Sequence, residues 1–296
     1  MRTEVWKFFE EIGLRPERDL PYPVLYHYTS MSGALKILGS QKFWATAHDC
    51  TNDRGELVSA DATVLEIAQS FRHTASGLTA RALDAFLRDY DAEAIARIRT
   101  AYLSCFSIAR DDEGQWRRYG DEGKGVCLGL RVINEPGPQS RKVFSRLFEV
   151  TYSEDSLRKW FTDTFVKVCA TLAAYPPSDQ NTRSALATLR GLAALASITT
   201  KTSDWKSEKE VRHVTMDRLE PGVKPDVRMS ADNKEIRYLP VSLRANGKLI
   251  ALDEIIIGAK QDFGEARKQF ENLLASKGYL PGSIEYPRFV VSSVSN

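Results

Sequence analysis

Two adjacent prolines, Pro176 and Pro177, stand between two long runs of helical apolar spacing, and this break constrains the fold more than any other feature of the 296-residue chain. Upstream, Leu157, Trp160, Phe161, Thr164, Phe165, Val168, Cys169 and Leu172 share one face of a helix predicted over 156–175. A proline lacks the N–H that would continue the ladder, so the helix stops there. Downstream, Leu186, Leu189, Leu192, Leu195 and Ile198 predict a second helix over 182–199. Strand-like runs lie on both sides of this pair. Val24–Tyr28, Phe43–Thr46, Tyr102–Ile108, Gly125–Leu130 and Leu147–Tyr152 precede it; Val211–Met216, Glu235–Val241, Ile250–Ile257 and Tyr286–Val291 follow. The pair therefore reads as an insertion between strands, two antiparallel helices packed on a sheet.

Further helices are expected over 3–12 (Val5, Trp6, Phe8, Phe9, Ile12), over 32–38 with Ser30 as cap and Gly39 as stop, over 56–73, over 78–99, and over 263–277. Strands and helices do not alternate regularly, which favours an α+β fold over a doubly wound one. One domain over 1–296 is expected: an N-terminal helix and linker (1–21), a first part of the core (22–155), the helical insertion (156–200) and a second part of the core (201–296).

At this length, 43% hydrophobic residues are enough for a sizeable core. A formal net charge of +2 gives no global field toward nucleic acid or membrane. The N-terminus carries charges throughout, and no run approaches the ~20 apolar residues of a membrane span. A cytoplasmic protein with no membrane partner is the expectation. None of Cys50, Cys105, Cys127 and Cys169 forms a Cys-x-x-Cys pair, so no zinc site is indicated and reduced buried thiols are expected.

Four segments place polar residues where packing does not ask for them. Tyr26-His27-Tyr28-Thr29-Ser30 sets a histidine between two tyrosines in an early strand; it reads either as a ligand donor beside a stacking ring or as a satisfied core histidine. Asn52, Asp53 and Glu56 either point into a pocket or do the ordinary work of a turn and a helix start. Ser107 is followed by Trp116 and Tyr119, three apart on one helix face, which suit either a core or a stacking wall for a nucleotide. Last, Glu208, Glu210 and Arg212 share one strand face by period 2 if the strand begins near Glu208. Two carboxylates on one face repel unless something uses or neutralises them, and Arg212 is a candidate neutraliser. A solvated edge strand of alternating charge is the other reading.

Taken in order, these segments resemble a bacterial family known only as domain of unknown function 2971. The resemblance rests on residues 26–30, on Trp44-Ala45-Thr46 with Asn52, Asp53 and Glu56, on Cys105-Phe106-Ser107 with Trp116 and Tyr119, on Gly125-Val126-Cys127, on Trp205, Glu208, Glu210 and Arg212, and on Ile257-Gly258. It spans roughly residues 22–260, with divergence expected in the helix pair. A more distant resemblance is to ADP-ribosyltransferases, whose three motifs are a His-bearing strand, a Ser- or Tyr-bearing strand and a strand opened by Glu-x-Glu. His27, Ser107 and Glu208-Lys209-Glu210 stand in that order.

This second resemblance implies a split mixed or antiparallel β-sheet core with flanking helices, and NAD as substrate without a metal. It implies that His27 bonds the nicotinamide ribose, Thr29 assists on the adenosine side, and Tyr28 or Tyr119 stacks on the nicotinamide. Ser107 would support the catalytic strand, and Glu210 would hold the ribose and stabilise the cationic centre as nicotinamide leaves. Glu208 would orient or deprotonate the acceptor. Arg54, Arg117, Arg118 and Arg212 are candidates for the pyrophosphate. The second motif keeps a lone Ser where that family has Ser-Thr-Ser. Two other readings follow from the same residues: a non-catalytic module for NAD, ADP-ribose or a nucleic-acid end, and a metal-dependent nuclease built from Asp53, Glu56, Glu208 and Glu210. DNA, RNA, protein and water all remain open as acceptor, and the oligomeric state is not readable.

Overall fold

Val24–Thr29 form β1 in a computed structural model that describes residues 22–50, 60–91, 101–131, 144–216, 224–230, 232–242, 244–245, 248–249, 252–279, 281–282 and 286–294. The expected helix at 3–12, the segment holding Asn52, Asp53, Arg54 and Glu56, and residues 92–99 of the helix expected over 78–99 lie outside these residues, and the described part of that helix ends at Arg88. Along its whole length β1 pairs antiparallel with β4 (Val126–Arg131), from Val24↔Arg131 to Thr29↔Val126. β4 pairs antiparallel with β11 (Leu252–Ile257), and β11 pairs parallel with β12 (Arg288–Val291). This is one wing of the sheet. The other wing is antiparallel: β2 (Lys42–Ala47), β8 (Glu235–Ser242) and β7 (Asp226–Met229). A separate two-stranded ribbon joins β9 (Arg244–Ala245) and β10 (Lys248–Leu249).

The wings meet at β3 (Ala101–Ser107). One edge of β3 is filled from Ala101↔Met216 to Ser107↔Glu210 by β6 (Glu210–Met216), which also pairs with β5 (Phe144–Glu149). The other edge is shared. β2 takes its start, at Ala47↔Tyr102 and Thr46↔Leu103, while β1 takes its end, at Tyr26↔Ser107. Between these pairings no strand among the described residues lies beside 104–106 on that side, so the sheet forks there.

Directly paired residues share a face and neighbours in a strand do not. Leu128, Leu130, Ile255 and Ile257 lie on one face and pack under α1 (Met31–Ser40) and α7 (Phe263–Ser276) through Leu38, Phe270 and Leu274. Ser30 caps α1 by accepting the Gly33 N–H at 3.1 Å. The helix runs past Gly39 and ends at Gln41 in the left-handed region (φ 55°). The opposite face carries Leu103 and Val214, covered by Leu195 and Ile198 of α6 (Asp179–Ile198).

The helix pair forms as its apolar spacing requires: α5 (Glu154–Ala173) is capped by Ser153, and α6 by Ser178 just past Pro176-Pro177. Its packing differs from the expectation. Most of its apolar face meets α2 (Asp61–Arg72) and α3 (Gly77–Arg88), where Val64, Ile67, Leu83, Phe86, Phe161, Phe165, Leu189 and Leu192 form one core. Among the described residues, Trp160 and the end of α6 reach the sheet. Periodicity shows which face is apolar, not which neighbour covers it. Strands and helices thus form an α+β fold with a mixed sheet. Among the described residues no helix is long and apolar enough to cross a membrane.

Candidate functional site

Cys105 lies midway along the central strand β3, yet it is exposed while Ser104 and Ser107 are buried. Its thiol is nevertheless raised well above the ordinary range by the protein packed around it, and next by the Glu210 charge. The gap beside residues 104–106, where the sheet forks, leaves this side chain open to solvent, and that gap is the recess. His27 closes the fork from the side: its Nδ1 is 2.9 Å from the Cys105 carbonyl oxygen, and its ring packs against Phe43 and Phe106 with centroids 5.0 and 5.7 Å away. Burial lowers the His27 pKa, with the Cys105 carbonyl opposing, and because a carbonyl only accepts, Nδ1 donates in this bond.

A buried charge network adjoins the recess. Across the sheet Tyr26, Ser107 and Glu210 stand in one row, and Cys105 pairs with Arg212 one step along the same face. Arg212 forks onto Glu210, Nε to Oε1 at 2.9 Å and the second nitrogen to Oε2 at 3.2 Å, and also donates to the Ile198 carbonyl at 2.7 Å. Lys201 Nζ lies 2.8 Å from Glu210 Oε2 and 2.7 Å from Glu208 Oε2. Burial alone would raise the Glu210 pKa, but Arg212 and Lys201 outweigh it and hold it at about 2. Burial likewise works against the Lys201 charge, and the two carboxylates reverse this, so its pKa rises.

The turn before β6 is held from three sides. Lys209 adopts a left-handed conformation (φ 46°), so β6 begins at Glu210, and Glu208 belongs to the preceding helical turn, Ser203–Glu208. The expected period-2 row from Glu208 is therefore broken, and a turn rather than a strand brings Glu208 to the same cluster. The Glu208 carbonyl accepts from Ser107 Oγ at 2.7 Å and from Gln115 Nε2 at 2.8 Å. The Glu210 N–H donates to the Tyr152 hydroxyl at 2.8 Å. Ser107, expected to support the catalytic strand, is thus a buried strut for the turn.

α4 (Glu113–Tyr119) separates the two aromatic candidates. Trp116 is buried against Tyr28 in a T-shaped contact at 5.1 Å, and its indole N–H donates to Asp111 at 2.8 Å. The Tyr28 hydroxyl donates to the Ala109 carbonyl at 2.8 Å and accepts from the Asp112 N–H at 3.0 Å. Neither ring has a free face, which corrects the expectation of Tyr28 and Trp116 as stacking surfaces. Tyr119 points outward, 46% exposed, and its hydroxyl donates to Glu208 Oε1. Beside it Arg118 lies 3.7 Å from the same oxygen and 5.3 Å above the half-buried Trp205 ring, which Lys201 also faces at 5.3 Å. Tyr119, Arg118 and Trp205 form an aromatic and cationic rim over the buried charges.

A second correction concerns His27. Leaving β1 beside Tyr26, it points to the α1 and α7 face, whereas Glu210 lies on the opposite one. The two can meet one ligand only through the fork, where Cys105 links them: its carbonyl accepts from His27 and its thiol donates to Glu210. Thr29, on the His27 face, instead packs against the start of α1, where a Cβ on Gly33 would come within 2.3 Å of its hydroxyl oxygen. Gly125 and Gly258 have a packing reason too. Gly258 N–H donates to the Gly125 carbonyl at 3.0 Å, and a Cβ on Gly258 would lie 2.2 Å from the Gly123 carbonyl oxygen. Sequence reasoning missed Lys201 and Tyr152, and its expectation of Cys105 as a buried thiol is corrected by the unpaired strand edge that exposes it. Lys201 follows an apolar helix outside any strand pattern, and its only signal was a cation at the end of a buried run. Among the described residues no group of three or more His, Cys, Asp or Glu side chains is placed to hold a metal ion.

Residues 115–213 match the model of a family described as a protein of unknown function (DUF2971). The matched stretch holds Tyr119, Lys201, Glu208, Glu210 and Arg212. It also takes in the helix pair, where divergence was expected. No curated protein and no solved structure matches the chain.

Proposed function

We propose that this protein is an ADP-ribosyltransferase-like enzyme that takes NAD over the Tyr119–Arg118–Trp205 rim, with Glu208 rather than Glu210 as the carboxylate that meets the nicotinamide ribose. The observation that carries this reading is the difference between the two carboxylates. Both Glu210 oxygens are held by Arg212 and Lys201 at 3.2 Å or less. Glu208 Oε1 instead faces Tyr119 and Arg118, two side chains that are themselves 46% and 38% exposed. The groups over that oxygen stand on the open rim, whereas those over Glu210, Arg212 and Lys201, are buried.

In the proposed reaction the bond between ribose C1′ and the nicotinamide nitrogen breaks, and its electron pair leaves with nicotinamide. Positive charge develops at C1′ and the ring oxygen, where a positioned carboxylate stabilises it. Water or an acceptor nucleophile then bonds to C1′ and gives its proton to Glu208 or solvent. Arg118 suits the pyrophosphate and Tyr119 or Trp205 a planar ring. Glu210 serves as the counter-charge that keeps Lys201 and Arg212 in place.

The test is nicotinamide release from NAD by the wild type, Glu208→Gln and Glu210→Gln. Glu208→Gln is expected to stay folded and lose activity by about 10²-fold or more. Glu210→Gln is expected to lose stability instead, by about 3–5 kcal/mol, because it leaves buried Arg212 without its counter-charge. Undiminished turnover in Glu208→Gln sinks the assignment.

A second reading, nucleotide binding without turnover, is favoured by the charge balance. Lys201, Arg212 and Arg118 are three cations against two carboxylates, Glu208 and Glu210, which suits an anionic ligand better than a developing cation. ADP-ribose binding by calorimetry with no nicotinamide released would select it. The same cations disfavour a metal-dependent nuclease, since they occupy the carboxylate oxygens a divalent ion would need.

A further inference from the structure

A second aromatic and cationic unit lies across the fork from the recess. Thr46 pairs with Leu103, so Thr46 and Trp44 share the face that carries Cys105 and Glu210. Continuing that register would set Trp44 opposite Cys105, but β2 parts from β3 there, and Trp44 stands on the far side of the gap. Its ring is 41% exposed and packs on Tyr238 with centroids 4.7 Å apart and planes at 33°. The Arg228 guanidinium sits 5.6 Å from the Trp44 centroid. Lys42, also exposed, is two residues before Trp44 on the same face.

Ordinary sheet packing does not account for this. On the opposite face of β2, Phe43, Ala45 and Ala47 are all buried, as a sheet strand requires. Trp44 is large, apolar and open to water at the same time. Among the described residues on this face, Asp226, opposite Tyr238, stands against Arg228 and Lys42, two cations to one anion. A flat aromatic surface bordered by cations is complementary to a nucleobase joined to phosphates, because every base has a π-face and every linkage an anion. The Tyr119–Arg118–Trp205 rim, beside the Glu208 and Glu210 cluster, repeats this composition.

We infer that the Trp44–Tyr238–Arg228 surface is a platform for an unpaired base of single-stranded nucleic acid, laid along the sheet face so that the strand crosses the fork beside Cys105. The inference rests on the proposed reading in one respect: it makes a nucleic-acid strand the acceptor that the recess would modify. Duplex does not fit the same surface, since its bases are already stacked.

The experiment is fluorescence anisotropy of a labelled oligothymidylate or oligouridylate of about 12 nucleotides, without NAD, against the full chain. Binding is expected to weaken about tenfold or more in Trp44→Ala, and to be largely kept in Trp44→Phe. Arg228→Ala, at a fully exposed strand, is expected to weaken it and to reduce its salt dependence; this variant decides the matter if Trp44→Ala fails to fold. No binding at low salt, equal binding of a duplex of the same length, or variants indistinguishable from wild type would overturn the inference. Because NAD is absent, the result is separable from the nicotinamide assay: oligonucleotide binding with no turnover leaves the platform standing, and turnover with no oligonucleotide binding removes the platform alone.

Discussion

Glu210 stays ionised in a buried position because Arg212 and Lys201 offset the cost of desolvation, and this makes the site sensitive to acid. Its folded pKa of about 2 lies below the ordinary 4.5, so its contribution is complete above about 4.5 and is lost as pH falls toward 2. Two histidines act earlier. Burial lowers His48 to about 4, with Arg212 repulsion adding to it, and burial lowers His213 to about 4 from an ordinary 6.5. An unfolded chain binds those protons first, so their contribution is complete above about 6.5 and is lost through 4. Urea unfolding is therefore expected to show stability falling by a few kcal/mol between about pH 7 and pH 4.5, and a His48→Asn, His213→Asn double variant should flatten that fall. A flat wild-type profile would contradict the buried neutral state of both rings.

At the scale of elements, the helices were legible and their packing was not. Apolar spacing and Pro176-Pro177 placed α5 and α6 within a few residues of their ends, because both signals are local. That the pair covers α2 and α3 rather than mainly the sheet depends on which other apolar faces remain unpaired, a property of the whole chain. The same logic predicts how substitutions sort along α5. Phe161→Ala removes a fully buried ring from the four-helix core and should cost about 3–5 kcal/mol in urea unfolding. Val166→Ala, at a residue 47% exposed, should stay within about 0.5 kcal/mol. Equal effects would mean that α5 does not pack on α2 and α3. The strand β6 shows the opposite failure. Alternation from Glu208 suggested one continuous face, and a single left-handed residue, Lys209, replaced the first step with a turn.

Across the whole molecule, the last described residues are tied to the site through Asp111. Its carboxylate accepts from Trp116 Nε1 at 2.8 Å, Ser292 Oγ at 2.6 Å, and the Ser293 N–H and Oγ at 2.7 Å each. Trp116 belongs to α4, and α4 places Gln115, Arg118 and Tyr119 on Glu208. One carboxylate thus couples β12 to the rim, although 181 residues separate it from Ser292. Asp111→Ala leaves a buried indole N–H without its acceptor and should cost about 3 kcal/mol, read as a fall in Tm of about 5 °C for a chain of this length. Removing residues 292–296 should produce a similar fall, and an unchanged Tm in both would show that the tail does not hold α4.

The residues themselves determined the α+β class, most element positions, and the set of groups from which any site here must be built, because propensity, periodicity and proline stops act over a few neighbours. They also pointed to Glu208, Glu210, Arg212 and Tyr119 as polar groups that packing alone did not explain. Only the tertiary structure decided what those groups do to one another. It turned Tyr28 and Trp116 into core, set His27 and Glu210 on opposite faces, brought Lys201 between two carboxylates, and opened the fork that exposes Cys105. Each of these outcomes depends on register between strands far apart in the chain, and a shift of one residue in register exchanges the faces of a whole strand.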